Sequence, residues 1–464
     1  MARPVARFVC QSCGAVTAKW AGRCEACGEW NTIAEEAVQS GPGLARAPAA
    51  ARKLEFVDLA GHTPPPPLAA TGIAEFDRVL GGGLVAGSAV LLAGDPGIGK
   101  STLLLQAAAA LARTGKRVLY ISGEEAIGQI RLRARRLGLA DAGLELAASI
   151  NLRDIAAAIE ATPDAALVII DSIQTMWMDS IDSAPGTVSQ VRASAFELIR
   201  LAKTGSHAVV LVGHVTKEGA IAGPRVLEHM VDAVLYFEGD RGHQFRILRG
   251  VKNRFGATDE IGVFEMTGHG LAEVANPSAL FLAERRGNIA GSAVFAGLEG
   301  SRPVLVEIQC LLSANPGGSP RRSVIGWESG RLSMLLAVLE TRCGLRLGAT
   351  DVYLNVAGGL RIGEPAADLA VAAALASAAS DQPTEPGCVF FGEVGLSGEV
   401  RQVGGAEARL KEAQKLGFTQ ACLPRRVARG NRRPGAPAGL ELQEIGHLAD
   451  LVARFSPKTG GKPA

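Results

Sequence analysis

Lys100 and Ser101 close a stretch, Gly94-Asp95-Pro96-Gly97-Ile98-Gly99-Lys100-Ser101-Thr102, whose spacing suits phosphate chemistry. Glycines at 94, 97 and 99 let the backbone curl until consecutive N–H groups point at one spot. The residues that follow, Leu103-Leu104-Leu105-Gln106-Ala107-Ala108, suit a helix whose positive N-terminal end reinforces that spot. Lys100 would reach the β and γ phosphates of a nucleotide, and the Ser101 hydroxyl would ligate magnesium. A glycine-rich turn can match such a pattern by chance. Here an apolar strand, Leu91-Leu92-Ala93, leads into the loop and a helix leaves it, as the motif requires. The stretch therefore predicts a nucleoside triphosphate site.

Three further segments supply groups for the same chemistry. Leu167-Val168-Ile169-Ile170-Asp171 is an apolar strand ending in an acid about seventy residues after the phosphate loop, so Asp171 is the expected magnesium-shell carboxylate. Tyr120-Ile121-Ser122-Gly123-Glu124-Glu125 is another strand running into acids. A carboxylate there would orient the attacking water; Glu124 is preferred over Glu125, with simple solvent exposure expected for the other. Leu211-Val212-Gly213-His214 places a histidine at a strand end, either as a γ-phosphate sensor or as an ordinary loop residue.

A second chemistry stands at the front of the chain. Cys10-x2-Cys13 and Cys24-x2-Cys27, ten residues apart, suit a tetrahedral zinc site with four thiolates. Gly14 and Gly28 follow the pairs and would relieve the turns so that N–H groups face sulfur. A redox pair or a disulfide staple are the rival readings. A module this short cannot hold a core without its metal. Lys19, Arg23, Trp20 and Trp30 leave open whether it touches DNA, a partner, or neither. Cys310, Cys343, Cys388 and Cys422 show no partner spacing and read as small core residues.

Around these groups, 464 residues allow about three domains, and 47% hydrophobic content is ample for their cores. No apolar run reaches the roughly 18 residues of a membrane span. The longest, Leu369–Ala376, is Ala-rich, flanked by Asp368 and Asp381, and reads as a buried helix. With Cys10 and Gln11 arriving early there is no signal-peptide core, so a cytoplasmic, reducing location is expected. A formal charge of +2 leaves any DNA contact to local patches. Residues 1–35 form the zinc module and 36–70, with Gly41-Pro42-Gly43 and Pro64–Pro67, a linker. From Thr71 to Gly270, apolar runs alternating with helical patterns predict a parallel α/β sheet. Its strands are Ala89–Ala93, Arg117–Ser122, Leu167–Asp171, Ala208–Gly213, Ala233–Phe237 and Phe245–Val251. The pattern restarts after 274 and runs to 456, and 457–464 reads as a disordered tail.

The segments Cys10–Trp30, Gly94–Thr102, Tyr120–Glu125, Ile170–Thr175 and Lys252-Asn253-Arg254-Phe255-Gly256 resemble the RadA (Sms) family of bacterial DNA repair proteins. The resemblance covers essentially the whole chain and implies an α/β architecture. A four-cysteine zinc ribbon is followed by a RecA-like P-loop NTPase core at 71–274 and an α+β Lon-protease-like domain at 275–456. It further implies ATP, Mg2+ and Zn2+ as cofactors and a hexameric ring on single-stranded and branched DNA. The activity implied is that of a DnaB-type translocase or helicase driving branch migration alongside RecA. On the residues alone, Lys252 and Arg254 sit two apart and project to one side. They could reach a neighbouring subunit's γ-phosphate, touch DNA phosphates, or form a solvated basic edge. Lys217 and Arg225 flank a small-residue loop at the position of RecA's second DNA loop, and are expected to contact DNA backbone.

In the Lon-like part, Glu364-Pro365-Ala366-Ala367-Asp368 matches the family's Gly-Pro-Ser-Ala-Gly, so Ala366 replaces the serine nucleophile. Glu407, after Gly404-Gly405, stands at the lysine's place. Without nucleophile or base, covalent peptide hydrolysis is not expected. Two arginine clusters, Arg131/133/135/136 on a helix and Arg425/426/429/432/433 in a loop, read as solvated faces with DNA or subunit contact as the sharper alternative. Rival readings of the whole are an ATP-dependent scaffold or signalling protein not driven by DNA, and an ATP-dependent protease.

Overall fold

The computed structural model describes residues 6–10, 15–37, 66–214, 226–239, 244–283, 285, 288–315, 317–425 and 438–455. Two compact units divide the chain, Met1–Val274 and Ala275–Ala464.

In the first unit nine strands form one sheet. In order they are Gly270–Glu273, Ile261–Thr267, Phe245–Asn253, Ala233–Glu238, Ala89–Gly94, Ala208–His214, Ala165–Asp171, Arg117–Ser122 and Glu145–Ala148. The last six in that order run parallel. Ala89–Gly94, at the centre, is buried along its whole length, as strands covered on both faces must be. Period-two alternation feeds two apolar layers. Val90, Leu92, Tyr120 and Ile169 go to one layer, and Leu91, Ile121, Val168 and Ile170 to the other. Helix Lys100–Arg113 brings Leu103, Leu104 and Leu105 to the first layer; helix Val188–Gly205 brings Val191, Ala195 and Leu198 to the second.

The expectation of a wholly parallel sheet is corrected at one edge. Phe245–Asn253, Ile261–Thr267 and Gly270–Glu273 pair antiparallel. Only residues 239–244 link Ala233–Glu238 to Phe245–Asn253, too few for the crossover of about a dozen residues that a parallel neighbour needs. At the front of the unit, Val16–Thr17, Ala6–Cys10 and Ile33–Ala37 form a small antiparallel sheet.

The second unit carries a seven-stranded mixed sheet. Its order is Arg322–Ile325, Thr350–Val356, Arg302–Ala314, Ser292–Glu299, Cys388–Phe390, Gln420–Pro424 and Glu441–Ile445. Helix Asp368–Ser380 packs on Arg302–Ala314 and Ser292–Glu299, with Leu369 to Ala376 fully buried. Alanine all round lets a helix sit inside a core without a polar face. Among the described residues no helix is long and apolar enough to cross a membrane.

Cys310, Cys388 and Cys422 are buried core residues, as their lack of partner spacing suggested, whereas Cys343 is only half-buried. Cys388 and Cys422, on adjacent strands, also bring their sulfurs to 3.6 Å of each other. The contact arises from strand pairing, which spacing along the chain does not reveal. Most of the expected linker, Arg426, Arg429, Arg432 and Arg433, and the tail lie outside the described residues.

Candidate nucleotide and metal sites

The loop between strand Ala89–Gly94 and helix Lys100–Arg113 has the backbone its glycines permit. Gly94 has φ +151°, Gly97 +80° and Gly99 +117°. A Cβ at Gly94 would sit 2.5 Å from the Phe237 carbonyl oxygen, and one at Gly99 2.9 Å from the Met266 methyl. A side chain is excluded at Gly94 by the backbone carbonyl and disfavoured at Gly99 by its positive φ, so the loop takes the glycine conformation that lets its N–H groups face a phosphate chain. Lys100 is buried, and its Nζ donates to the carbonyls of Gly94 (2.6 Å) and Asp95 (3.0 Å). Burial lowers its pKa to about 8 against the opposing pull of Asp171, Glu124 and Asp95. The ammonium is thus folded back on the loop beneath the space a phosphate would fill.

The parallel strands end around this lysine. Asp171 closes Ala165–Asp171 and is buried. Tyr120 donates its phenolic hydrogen to Asp171 Oδ2 at 2.5 Å. The hydroxyl of Ser172 bonds to Glu124 Oε1, and His214 Nε2 lies 2.9 Å from the same oxygen. The histidine first, then Ser172 and the charge of Lys100, hold the Glu124 carboxyl below its ordinary pKa against the opposing effect of burial. Lys100, Glu124, Asp171 and His214, read from four separate segments, therefore converge on one end of the sheet. Ser101 and Thr102 occupy the first turn of the helix beside them. The buried Asp171 carboxylate and the Ser101 hydroxyl in the first helical turn are both hard-oxygen donors, of the kind that fits magnesium.

The two adjacent acids separate clearly. Glu125 is bound by Arg133, so it is not the solvent-exposed side chain expected. The same contact takes Arg133 out of the helical arginine cluster on Ile127–Arg136. Tyr120 was missed by motif reasoning, because nothing in its spacing marks a core tyrosine as touching Asp171. A polar tip on an otherwise apolar strand was the available signal.

Lys252 lies within strand Phe245–Asn253 rather than after it, and donates to the carbonyls of Glu228 (2.6 Å) and Val231 (2.7 Å). Burial and the nearby Arg254 charge lower its pKa. Arg254 pairs with Asp232 at 3.0 Å, and Asp232 also accepts the Ala89 N–H. Both cations therefore grip the 228–232 turn, next to the strand that enters the phosphate loop. Lys217 and Arg225 lie outside the described residues.

In the small front sheet the Sγ atoms of Cys10, Cys24 and Cys27 all lie within 4.8 Å of one another, with Cys10 and Cys27 at 3.7 Å. Zinc–sulfur bonds of about 2.3 Å in a tetrahedron separate neighbouring sulfurs by roughly 3.8 Å, so the cluster fits zinc. Cys13 and Gly14 lie outside the described residues. Gly28 has φ +78°, but its N–H bonds to the Cys24 carbonyl at 2.8 Å rather than to sulfur. The glycine closes the knuckle turn itself. Trp20 and Trp30 are exposed, and the Arg23 guanidinium lies 5.9 Å from the Trp30 ring centre.

In the second unit Ala366 is buried where a nucleophile would stand. Glu407 is exposed and paired with Lys411 at 2.7 Å. Two cations near Ala366 are committed to carboxylates. Arg409 grips Glu364 with bonds of 2.9 and 2.6 Å, and Arg331 grips Asp368 with bonds of 2.5 and 2.6 Å.

Family models match at residues 8–35 (rubredoxin metal binding domain), 56–220 (AAA domain) and 333–427 (subunit ChlI of Mg-chelatase). The chain is 58% identical to the DNA repair protein RadA of Brucella abortus over the full length of both. It is 50% identical to that of Bacillus subtilis, covering 97% of this chain and 99% of the other. With the Rickettsia felis protein of the same name it shares 52%, over 90% and 94%. The crystal structure of the RadB recombinase aligns with 21% identity and a TM-score of 0.36, covering 45% of this chain and 100% of its own. A zinc ribbon, a RecA-like P-loop core and a Lon-like terminal domain stand in that order, and the chain belongs to the RadA family of DNA repair proteins.

Proposed function

We propose that this ATP hydrolase is a DNA-driven motor of recombinational repair, a DnaB-type translocase whose turnover is coupled to single-stranded and branched DNA. The observation that carries the reading is the convergence of Lys100, Asp171, Glu124 and His214 at one end of the sheet. On this reading the Gly94–Thr102 backbone cradles the triphosphate, and Lys100 turns from its two carbonyls to the β and γ phosphates. Ser101 and Asp171 hold magnesium, which neutralises charge on the phosphate oxygens when bound. Glu124, kept ionised by His214 and Ser172, orients the water. His214, touching Glu124 at the end of its strand, senses whether a γ-phosphate is present.

Lys252 and Arg254 extend the same reading between subunits. In a homo-hexameric ring they stabilise charge at the neighbour's γ-phosphate, or they touch DNA together with Lys217 and Arg225. Cys10, Cys13, Cys24 and Cys27 hold zinc, which is required for the front module to fold. The Lon-like domain serves ring assembly and DNA holding without peptide hydrolysis, and the ring works with RecA in branch migration.

The test is ATP hydrolysis by the full chain with and without single-stranded DNA, for the natural protein and Lys252→Ala. Strong stimulation that the substitution removes supports the motor. Equal rates with and without DNA in the natural protein replace it with an ATP-dependent scaffold.

A further inference from the structure

Tyr120, in the middle of strand Arg117–Ser122, carries a buried polar group that the proposed chemistry leaves without a task. It is buried, 1% exposed, in the apolar layer that also holds Leu92, Ile169 and Leu104. A hydroxyl in such a layer costs free energy unless it finds a partner, and phenylalanine would fill the same space without that cost. The register explains the partner. Tyr120 pairs with Ile169 across parallel strands, and Asp171 lies two residues beyond Ile169, hence on the same face of the sheet. The phenol reaches diagonally to Asp171 Oδ2 at 2.5 Å. A phenol keeps its proton at neutral pH and a carboxylate can only accept, so the tyrosine is the donor of this bond.

Resting on the reading of Asp171 as a metal-shell carboxylate, we propose that Tyr120 is a positioning residue for the divalent cation. Its hydroxyl ties down Oδ2 and so fixes the direction in which the other carboxylate oxygen faces the nucleotide. Without that tie Asp171 is free to swing toward Lys100, the buried cation whose charge it already feels. Partners that orient metal-ligating carboxylates contribute 10- to 100-fold in metal affinity, on the order seen for other outer-shell groups. Tyr120 touches no reacting atom, and its whole effect runs through Asp171.

The experiment is Mn2+ titration of the full chain with a non-hydrolysable ATP analogue, followed by electron paramagnetic resonance, for the natural protein and Tyr120→Phe. The expected result is Mn2+ affinity weakened at least about tenfold, with metal-free binding of a fluorescent ATP analogue unchanged. In an Asp171→Asn background the same substitution is expected to add no further loss. Unchanged Mn2+ affinity in a folded Tyr120→Phe protein overturns the proposal, as does an undiminished loss in the Asp171→Asn background. If the natural protein itself fails to bind Mn2+ with the nucleotide, the ATPase reading falls too, which separates the two failures.

A second measurement does not depend on the variant folding. The chain has three tyrosines, so 3-fluorotyrosine labelling gives three 19F lines, assigned by elimination with Tyr236→Phe and Tyr353→Phe. Adding Mg2+ to the nucleotide-bound protein is expected to shift the Tyr120 line and leave the Tyr353 line in place. A Tyr120 line that does not respond to the metal also overturns the proposal.

Discussion

The two units each gather cations and carboxylates near a strand or helix end, and they dispose of the charges in opposite ways. At the phosphate loop, Lys100 is held by two carbonyls, and Asp171 and Glu124 act on it only through their fields. Near Ala366, Arg409 and Arg331 are each closed onto a carboxylate by two hydrogen bonds. A charge left without a direct counter-charge is costly to bury and is available to a ligand. A charge already paired contributes to the fold and has little left for chemistry. The open arrangement belongs to an ATPase core, and the closed one to a Lon-like domain that lacks a serine at 366.

Crossed substitutions break or sharpen this contrast. The largest effect is expected for Lys100→Met, which lowers ATP turnover by about 10³-fold or more and leaves melting without nucleotide unchanged or raised. Steady-state kinetics and calorimetry on the same preparations check both halves. Replacing Glu124 by Gln is expected to cut kcat by 10²- to 10⁴-fold, in the range of general-base loss, while equilibrium dialysis shows nucleotide affinity kept. A large loss of affinity instead would make Glu124 a binding group. In the closed region the signs reverse. Arg409→Met strands the Glu364 carboxylate and is expected to cost about 3–5 kcal/mol. That appears as a fall of roughly 6–20 °C in the melting of the second unit, without loss of turnover by the first.

A smaller effect concerns protons. Lys100 has its pKa lowered to about 8 by burial, below its ordinary value of about 10.5. The unfolded chain therefore binds more protons between those values, and the stability of the nucleotide-free protein rises with pH across that window. Phosphate binding favours the charged ammonium, so ATP binding at about pH 8.5 takes up protons and at about pH 6.5 takes up almost none. Calorimetry in buffers of different ionisation enthalpy measures this directly. The smallest effect is expected for Ala366→Ser, which should yield no ATP-stimulated casein cleavage because no lysine base stands at 407.

Much of this was legible in the residues. The phosphate loop is readable because its glycines are required by backbone conformation, and strand, loop and helix must follow in that order. The buried helix of the second unit is readable because Leu369–Ala376 offers no polar face. The antiparallel edge was less visible, since strand periodicity looks alike in either direction and only the six-residue connection distinguishes them. Cys388 beside Cys422 was not readable at all.

The sequence by itself determined the elements, the metal ligands' spacing and the loop, because those depend on neighbours along the chain: a φ that glycine allows, a run that must be buried, a turn that brings two sulfurs together. Only the tertiary structure decided which side chains share a partner. Glu124 faces His214 while Glu125 is taken by Arg133, Tyr120 reaches Asp171 across two strands, and Arg409 closes on Glu364. Those pairings depend on strand register and helix placement; Glu125 and Arg133 are eight positions apart, but the others join residues 45 to 90 positions apart and leave no local trace in either segment.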